Sequence, residues 1–186
     1  LVYAGAVFGG YVADRVIGYQ RSILVGAAFM VLGLFAITIP NPDIFKLGLA
    51  TMIVGNGMFK PNISAMVGQL YGINGQRRDS GFTIFYMGIN AGGFLAPILT
   101  GVLAESMSGQ SGVPAYKVVF FAAGVGMILS LIWFQIGRRM LKGIGAATGP
   151  LGSPMRLIGV IIGSFVVIPV VYFVLKLGAE RLQGLL

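Results

Sequence analysis

Residues 47–71 read LGLATMIVGNGMFKPNISAMVGQLY, 25 residues with a single charge, Lys60, near the middle. A helix needs ~20 mainly apolar residues to cross a hydrocarbon core of ~30 Å, so this stretch predicts a membrane-spanning helix. An ammonium at the centre of such a helix costs about 2.5–3.5 kcal/mol on insertion scales. A lysine stem can snorkel from near a helix end, but its reach from the centre is poor. Lys60 is therefore expected to face a partner or a water-filled cavity. Pro61 follows directly, and its missing N–H and ring clash release the carbonyl of Gly57 and predict a bent or broken helix. Asn56 and Ser64, four residues to either side, share the face of Lys60, which makes that face polar at membrane depth. Interhelical hydrogen bonds, worth about 0.6 kcal/mol per pair, are the plainer reading of those two groups. A broken helix beside an intramembrane charge is instead how midplane binding sites are built.

Working outward, the whole chain has the same character. Of 186 residues, 56% are hydrophobic and 10% charged, against about 25% charged in soluble domains, and the mean hydropathy is +0.91. Five further apolar segments cover residues 1–13, 22–40, 81–104, 118–137 and 157–175. All but the first reach or approach spanning length, and the first is expected to be the end of a helix that begins upstream. With no cysteine and no histidine, no disulfide and no thiolate or imidazole metal site is expected. The net charge of +8 is scattered among short loops rather than gathered on a stripe, so no nucleic-acid partner is expected. The scatter alternates instead. Arg15 and Arg21, then Arg77 and Arg78, then Arg138, Arg139, Lys142 and Arg156 fill the odd loops, while Lys46 and Lys117 stand alone in the even ones. The loops with Arg15, Arg77 and Arg138 are therefore expected in the cytoplasm, with the first segment running inward. Lys176 and Arg181 run weakly against this. A chain that starts in the cytoplasm then has an odd number of helices before Leu1, one being the simplest count.

In segment 81–104, Thr83, Tyr86 and Asn90 form one polar stripe, with Pro97 further along. A buried amide seeks several hydrogen-bond partners, which a peptide substrate could supply. Helix packing explains Thr83 and Tyr86 equally well. Tyr3 reads either as an interfacial anchor or as a cavity hydroxyl. Asp79 and Ser80 offer caps to the fourth segment, Pro40-Asn41-Pro42 reads as a turn, and the Gly- and Pro-rich residues 143–155 as a linker. Gly5 with Gly9, Gly88 with Gly92 and Gly159 with Gly163 have the spacing of close helix contacts, a spacing that also arises by chance in glycine-rich helices. No Gly-rich loop followed by Lys-Ser or Lys-Thr occurs, so no nucleotide is expected.

After the first segment come Gly10, Asp14, Arg15, Gly18 and Arg21 in the pattern G-x-x-x-D-R-x-x-G-x-x-R. This resembles the signature loop between the second and third helices of the major facilitator superfamily. There Asp14 with Arg15 or Arg21 can pair, or cap a neighbouring helix, in one conformation and release it in another. Without the resemblance, such a cluster reads as a solvated surface. Residues 55–64, GNGMFKPNIS, resemble the fourth-helix signature of the proton-dependent oligopeptide transporter family, and residues 78–90, RDSGFTIFYMGIN, its fifth-helix signature. The match is close to about Gly101, and from Glu105 onward only the hydropathy follows.

The resemblance implies an all-α polytopic membrane protein with a major-facilitator fold. Residues 1–140 would be the second to sixth helices of the N-terminal bundle, at about 1–13, 22–40, 47–71, 81–104 and 118–137. Residues 141–156 would be a cytoplasmic linker, and 157–186 an extra linker transmembrane helix and tail. Lys60 corresponds to the family lysine tied to proton coupling and to the carboxylate end of the peptide. Asn90 corresponds to a substrate-contacting asparagine and Tyr3 to a second-helix tyrosine, with Tyr86 beside Asn90 on its stripe and Pro61 as the helix break. The implied activity is symport of di- and tripeptides with protons by alternating access. The protein would be a secondary transporter and not an enzyme, multi-pass in the cell membrane of a prokaryote. Its partners would be small peptides, protons, membrane lipid, and the missing first helix and C-terminal bundle of the same chain. It would need no cofactor beyond the coupling proton. Transport of nitrate or another small solute, or a non-transporting sensor on the same fold, are the alternatives. A channel would need a continuous polar lining, whereas polar side chains here gather near one depth. The family's first-helix signature of two glutamates and an arginine is absent. The five acids, Asp14, Asp43, Asp79, Glu105 and Glu180, lie at or beyond segment ends. Lys60 must then find its carboxylate partner outside this stretch.

Overall fold

The computed structural model describes residues 2–71, 77–108, 115–141, 143–146 and 153–183, with the side chains of 2–4 and 179–183 outside the description. Every expected segment is a helix, and no strand occurs among the described residues. The helices are α1 (Val2–Val12), α2 (Tyr19–Ile37), α3 (Pro42–Leu70), α4 (Arg77–Ser106), α5 (Tyr116–Gly137) and α6 (Pro154–Gln183). Four stretches among the described residues are long and apolar enough to cross a membrane: Tyr19–Ile37, Arg77–Ser106, Tyr116–Leu141 and Pro154–Gly178. α3 was expected among them and has the length, 29 residues. Its polar positions, Asn56, Lys60, Asn62 and Ser64 among them, dilute its apolar character.

Helix starts lie upstream of the apolar windows, and at α3 a side-chain cap sets the start. α3 begins at Pro42, where the Asn41 side chain accepts from the backbone N–H of Asp43 at 2.9 Å and of Ile44 at 3.2 Å. α4 begins at Arg77, so Asp79 and Ser80 lie inside the first turn and do not cap it. Asp79 there favours the positive helix end, and its carbonyl accepts from the Thr83 hydroxyl at 2.8 Å.

α3 is the hub, flanked by α2, α1 and α6. Glycines set its seam with α2. A Cβ on Gly26 would lie 2.6 Å from the Gly55 carbonyl oxygen, and one on Gly33 would lie 2.7 Å from that of Gly48. The partners step seven residues along both helices in opposite directions, as antiparallel packing requires. On another face, a Cβ on Gly57 would lie 2.5 Å from the Gly5 carbonyl, and one on Gly9 would collide with the Gly57 carbonyl. Of the three expected glycine pairs, Gly5 with Gly9 therefore packs, while Gly88, Gly92, Gly159 and Gly163 meet nothing within 4 Å.

The helix runs unbroken through Pro61, contrary to the expected break. The Gly57 carbonyl that Pro61 releases faces the Gly9 backbone, and the Asn62 side chain takes the next carbonyl, Met58 O, at 2.7 Å. Neighbours that re-satisfy freed backbone groups are what let proline stay inside a membrane helix.

α6 closes a third side of α3. Ile168 joins Phe29, Ala50 and Val54 in one buried cluster, and Leu157 and Val160 pack on Val12, Ile17 and Met58 in another. Buried Ser164 donates to Val160 O at 2.8 Å, and Tyr172 donates to the Asp43 carboxylate at 3.0 Å. α5 lies on α2, with Phe35 and Phe121 edge to face at 5.4 Å. α4 hardly packs at all: only 6% of its apolar window is buried.

Candidate functional site

The residues singled out in the sequence fall into two places, one at the ends of α1 and α2 and one on open faces of α3 and α4. At the first, α1 continues into a π-helical turn, Ala13–Ile17, and a single residue, Gly18, joins it to α2. Gly18 has φ +80° and ψ 159°, a conformation open in practice only to glycine, which is the physical reason for a glycine at this point of the motif. Gly10 meets nothing within 4 Å of an added Cβ. Asp14 and Arg15 are exposed, Arg21 is half-buried, and Asp14 accepts a hydrogen bond from the Tyr19 hydroxyl. Sequence reasoning did not find that tyrosine as the partner of Asp14.

It also missed what lies against this turn. Gln20 is buried, and its side-chain amide donates to Ile144 O at 2.7 Å while its backbone N–H donates to Gly145 O at 2.9 Å. Gly145, at φ +69°, is wedged so that a Cβ would sit 3.1 Å from Met66 Cγ and 3.3 Å from Tyr19 Cβ. The stretch after α5 is thus fastened to the motif turn. Lys142 and residues 147–152 of the expected linker lie outside the described residues.

Beside this turn is a buried polar junction. Asn62 Nδ2 reaches Gly9 O at 3.1 Å, Ser22 Oγ at 2.8 Å and Met58 O at 2.7 Å, and Ser22 Oγ donates to Met58 O at 3.2 Å. Asn62 is 1% exposed and Ser22 fully buried. One amide therefore ties α1, α2 and α3 together. The signature residue Asn62 is structural, and its neighbour Lys60, two positions earlier, turns the other way.

Lys60 is exposed, Asn56 and Ser64 are half-buried, and the Ser64 hydroxyl is satisfied by Lys60 O at 3.3 Å. On α4, Asn90 is exposed, Tyr86 is 54% exposed, and Tyr86 leans on Phe82 and Phe85 with ring centroids 6.4 and 5.6 Å away. α4 meets α3 near one end, where Gly81 abuts the Tyr71 ring and Phe82 lies beside Gly68. From that contact Lys60 lies eight residues back along α3 and Asn90 eight residues on along α4, about 12 Å of helix rise in each case. The two side chains stand at matching heights on open faces but do not touch. No hydrogen bond or ion pair to Lys60 Nζ or to the Asn90 amide occurs among the described residues. The Tyr3 side chain lies outside the description.

Comparison with known proteins decides the family. The pattern of the POT family (PTR2) matches residues 20–179. The chain belongs to the POT family. An uncharacterized transporter, YclF, of Bacillus subtilis (strain 168) is 41% identical over 176 residues, covering 90% of this chain and 34% of that one. A di-/tripeptide transporter of Lactococcus lactis subsp. lactis (strain IL1403) is 33% identical over 219 residues, covering 99% and 43%. Among solved structures, tetrameric PepTSo2 superposes with a TM-score of 0.85 at 26% identity over 98% of this chain and 40% of that one. A peptide transporter POT in complex with sulfate gives 0.73 at 31% identity over 98% and 36%. The chain thus spans between about a third and somewhat under half of the length of these relatives. With 98% of the chain superposed on PepTSo2, the match includes most of α6. The POT-family membership fits the helical, multi-pass architecture derived above.

Proposed function

We propose that this chain is most of the N-terminal half of a symporter that carries di- and tripeptides with protons by alternating access. The observation that carries the reading is the asymmetry of α3. Three sides are packed against α1, α2 and α6, while the one side left open holds Lys60 between Asn56 and Ser64. A charge on the open face of an apolar bundle calls for a wet cavity or a countercharge. Lys60 offers an ammonium to a peptide carboxylate, and Asn90, at the same height on α4, an amide that can both donate and accept. The named relatives, di-/tripeptide transporters and permeases, support peptides over nitrate as cargo. The proton is the coupling ion in this reading. The carboxylate that carries it comes from outside this stretch, as does the rest of the cavity wall. The motif turn faces the cytoplasm together with Arg77 and Arg138, and labelling of single cysteines beside Arg15 and Arg138 from either side of a cell membrane tests that orientation. Alternating access would come from rocking this packed bundle against a second one.

The test is uptake by the full-length protein in proteoliposomes. Dipeptide accumulation above equilibrium, driven by an inward proton gradient and abolished by its collapse, is the expected result. Accumulation of nitrate but not of peptide would transfer the reading to the other solute class. Passive equilibration alone would point to a channel, and neither uptake nor binding to a sensor.

A further inference from the structure

A groove of about 570 Å³ runs between α2 and α5, lined by Leu24, Leu131, Ile132, Gln135, Ile136 and Arg139. It falls within the ~300–1,000 Å³ range of ordinary ligand sites. The α5 residues recur at one- and four-residue steps, so they make one face of a helix about 12 Å long. The face is graded. Leu131, Ile132 and Ile136 are apolar, Gln135 is polar, and Arg139 closes the end, in the 3-10 turn Arg138–Leu141 that extends α5. Arg138 donates to Gln135 Oε1 at 3.2 Å, which draws a second guanidinium to the same end. Among the described residues no acidic side chain lines the groove. Ile132 and Ile136 are 52% and 65% exposed on a helix apolar enough to span the bilayer, so the apolar part opens toward hydrocarbon.

An apolar trough that ends in arginines matches one kind of molecule by shape and charge together. We propose that the groove holds an anionic phospholipid of the cytoplasmic leaflet, with an acyl chain along Leu131, Ile132 and Ile136 and the headgroup phosphate on Arg139. The planar guanidinium fork suits phosphate geometry, and the cytoplasmic leaflet is the one that carries anionic headgroups at this depth. The proposal rests on the cytoplasmic placement of Arg138 and Arg139 but not on the nature of the transported solute. A lipid at this place would brace α5 against α2, where the protein contact is otherwise made by Phe35 with Phe121 and Gly124 toward the opposite end.

The test reads lipid retention and needs no transport. The full-length protein is purified from micelles containing equal amounts of phosphatidylglycerol and phosphatidylethanolamine, and bound lipid is counted by native mass spectrometry. The expected result is preferential retention of phosphatidylglycerol. Arg139→Ala should reduce it about fivefold, the scale of one basic side chain at an anionic surface. Arg139→Lys should keep most of it, and Ile132→Trp, which fills the trough without altering charge, should also lower it. Equal retention of the two lipids, or phosphatidylglycerol retention unchanged by Arg139→Ala, overturns the proposal. So does unchanged retention in Ile132→Trp, which would give the groove to another segment of the full-length chain and put the lipid elsewhere.

Discussion

α3 and α4 carry the two signatures that point to the family, yet the chain treats them in opposite ways. α3 is held by glycine-lined contacts to α1 and α2, by the Asn62 amide at the junction of three helices, and by α6. α4 has almost the same length but touches the rest near its ends, at Gly81 with Tyr71 and through Ala115 N–H to Ala104 O at 3.1 Å. A motif can therefore serve two purposes at once. In α3, Asn62 and the glycines build the scaffold while Lys60 and Asn56 use the face left over. In α4 nearly the whole surface is left over, and its apolar side chains, such as Ile84, Met87 and Phe94, are 65–70% exposed. In the proposed transporter such a helix would be covered by lipid on one side and by further protein on the side of Asn90.

The sharpest way to break this contrast is to change Lys60, the residue that α3 exposes. Lys60→Ala in the full-length protein should reduce gradient-driven peptide accumulation to background while the melting temperature stays close to wild type, because Lys60 makes no packing contact that α3 depends on. Lys60→Arg should also be weak, since a planar fork does not replace a compact ammonium whose charge can respond to burial. Proton-independent counterflow of peptide, driven by binding alone, tells coupling from affinity. Wild-type accumulation by Lys60→Ala would make the lysine structural and remove the basis of the proposed site.

The scaffold half of the contrast is tested on glycines. Gly57→Val forces a side chain into the Gly5 backbone and should cost about 2–3 kcal/mol or prevent insertion, the upper range of overpacking. Gly88→Val, on α4 where nothing lies within 4 Å, should stay within about 0.5 kcal/mol. Thermal unfolding in detergent compares the two. If Gly88→Val is equally costly in the full-length protein, α4 is tightly packed by protein outside this stretch. The contrast then belongs to the stretch and not to the assembled molecule.

How much of this was legible beforehand depended on the kind of signal. Hydropathy gave all six helices, because burial in hydrocarbon is a property of long windows. It misplaced their starts, because Asn41 before Pro42 sets a start by capping while Asp43 and Lys46 interrupt the apolar run. The break at Pro61 was a local inference, and the helix runs on because the freed Gly57 carbonyl lies against the Gly9 backbone of α1, a neighbour that no local pattern places there. The heptad-spaced glycines Gly26, Gly33, Gly48 and Gly55 were visible as letters, but their pairing depends on antiparallel register. Lys60 could be picked out by its cost at that depth. Asn62 could not be told from Asn56 by sequence alone, since which of two amides turns inward depends on where α1 and α2 lie. Gln20 with Ile144 and Gly145 spans more than a hundred residues, and nothing local announces it.

The smallest expected effect on transport concerns the turn that joins α1 to α2, where the signature motif meets the packed scaffold. The Tyr19 hydroxyl donates to the exposed Asp14 carboxylate across the π-helical turn. An exposed polar contact of this kind is worth roughly 0.5–1 kcal/mol, so Tyr19→Phe should change the transport rate by about two- to fivefold with peptide affinity unaltered. Asp14→Asn should slow transport in the same manner, because residue 14 lies at the edge of the bundle and not on the open face of Lys60. If the tyrosine acts through the aspartate, Tyr19→Phe should have little further effect in an Asp14→Asn background. Rate and equilibrium binding measured on the four proteins decide it. Additive losses would separate the two residues. Loss of binding in step with loss of rate would move the motif turn from gating to the substrate site, and would erase the distinction between the packed and open sides of this bundle.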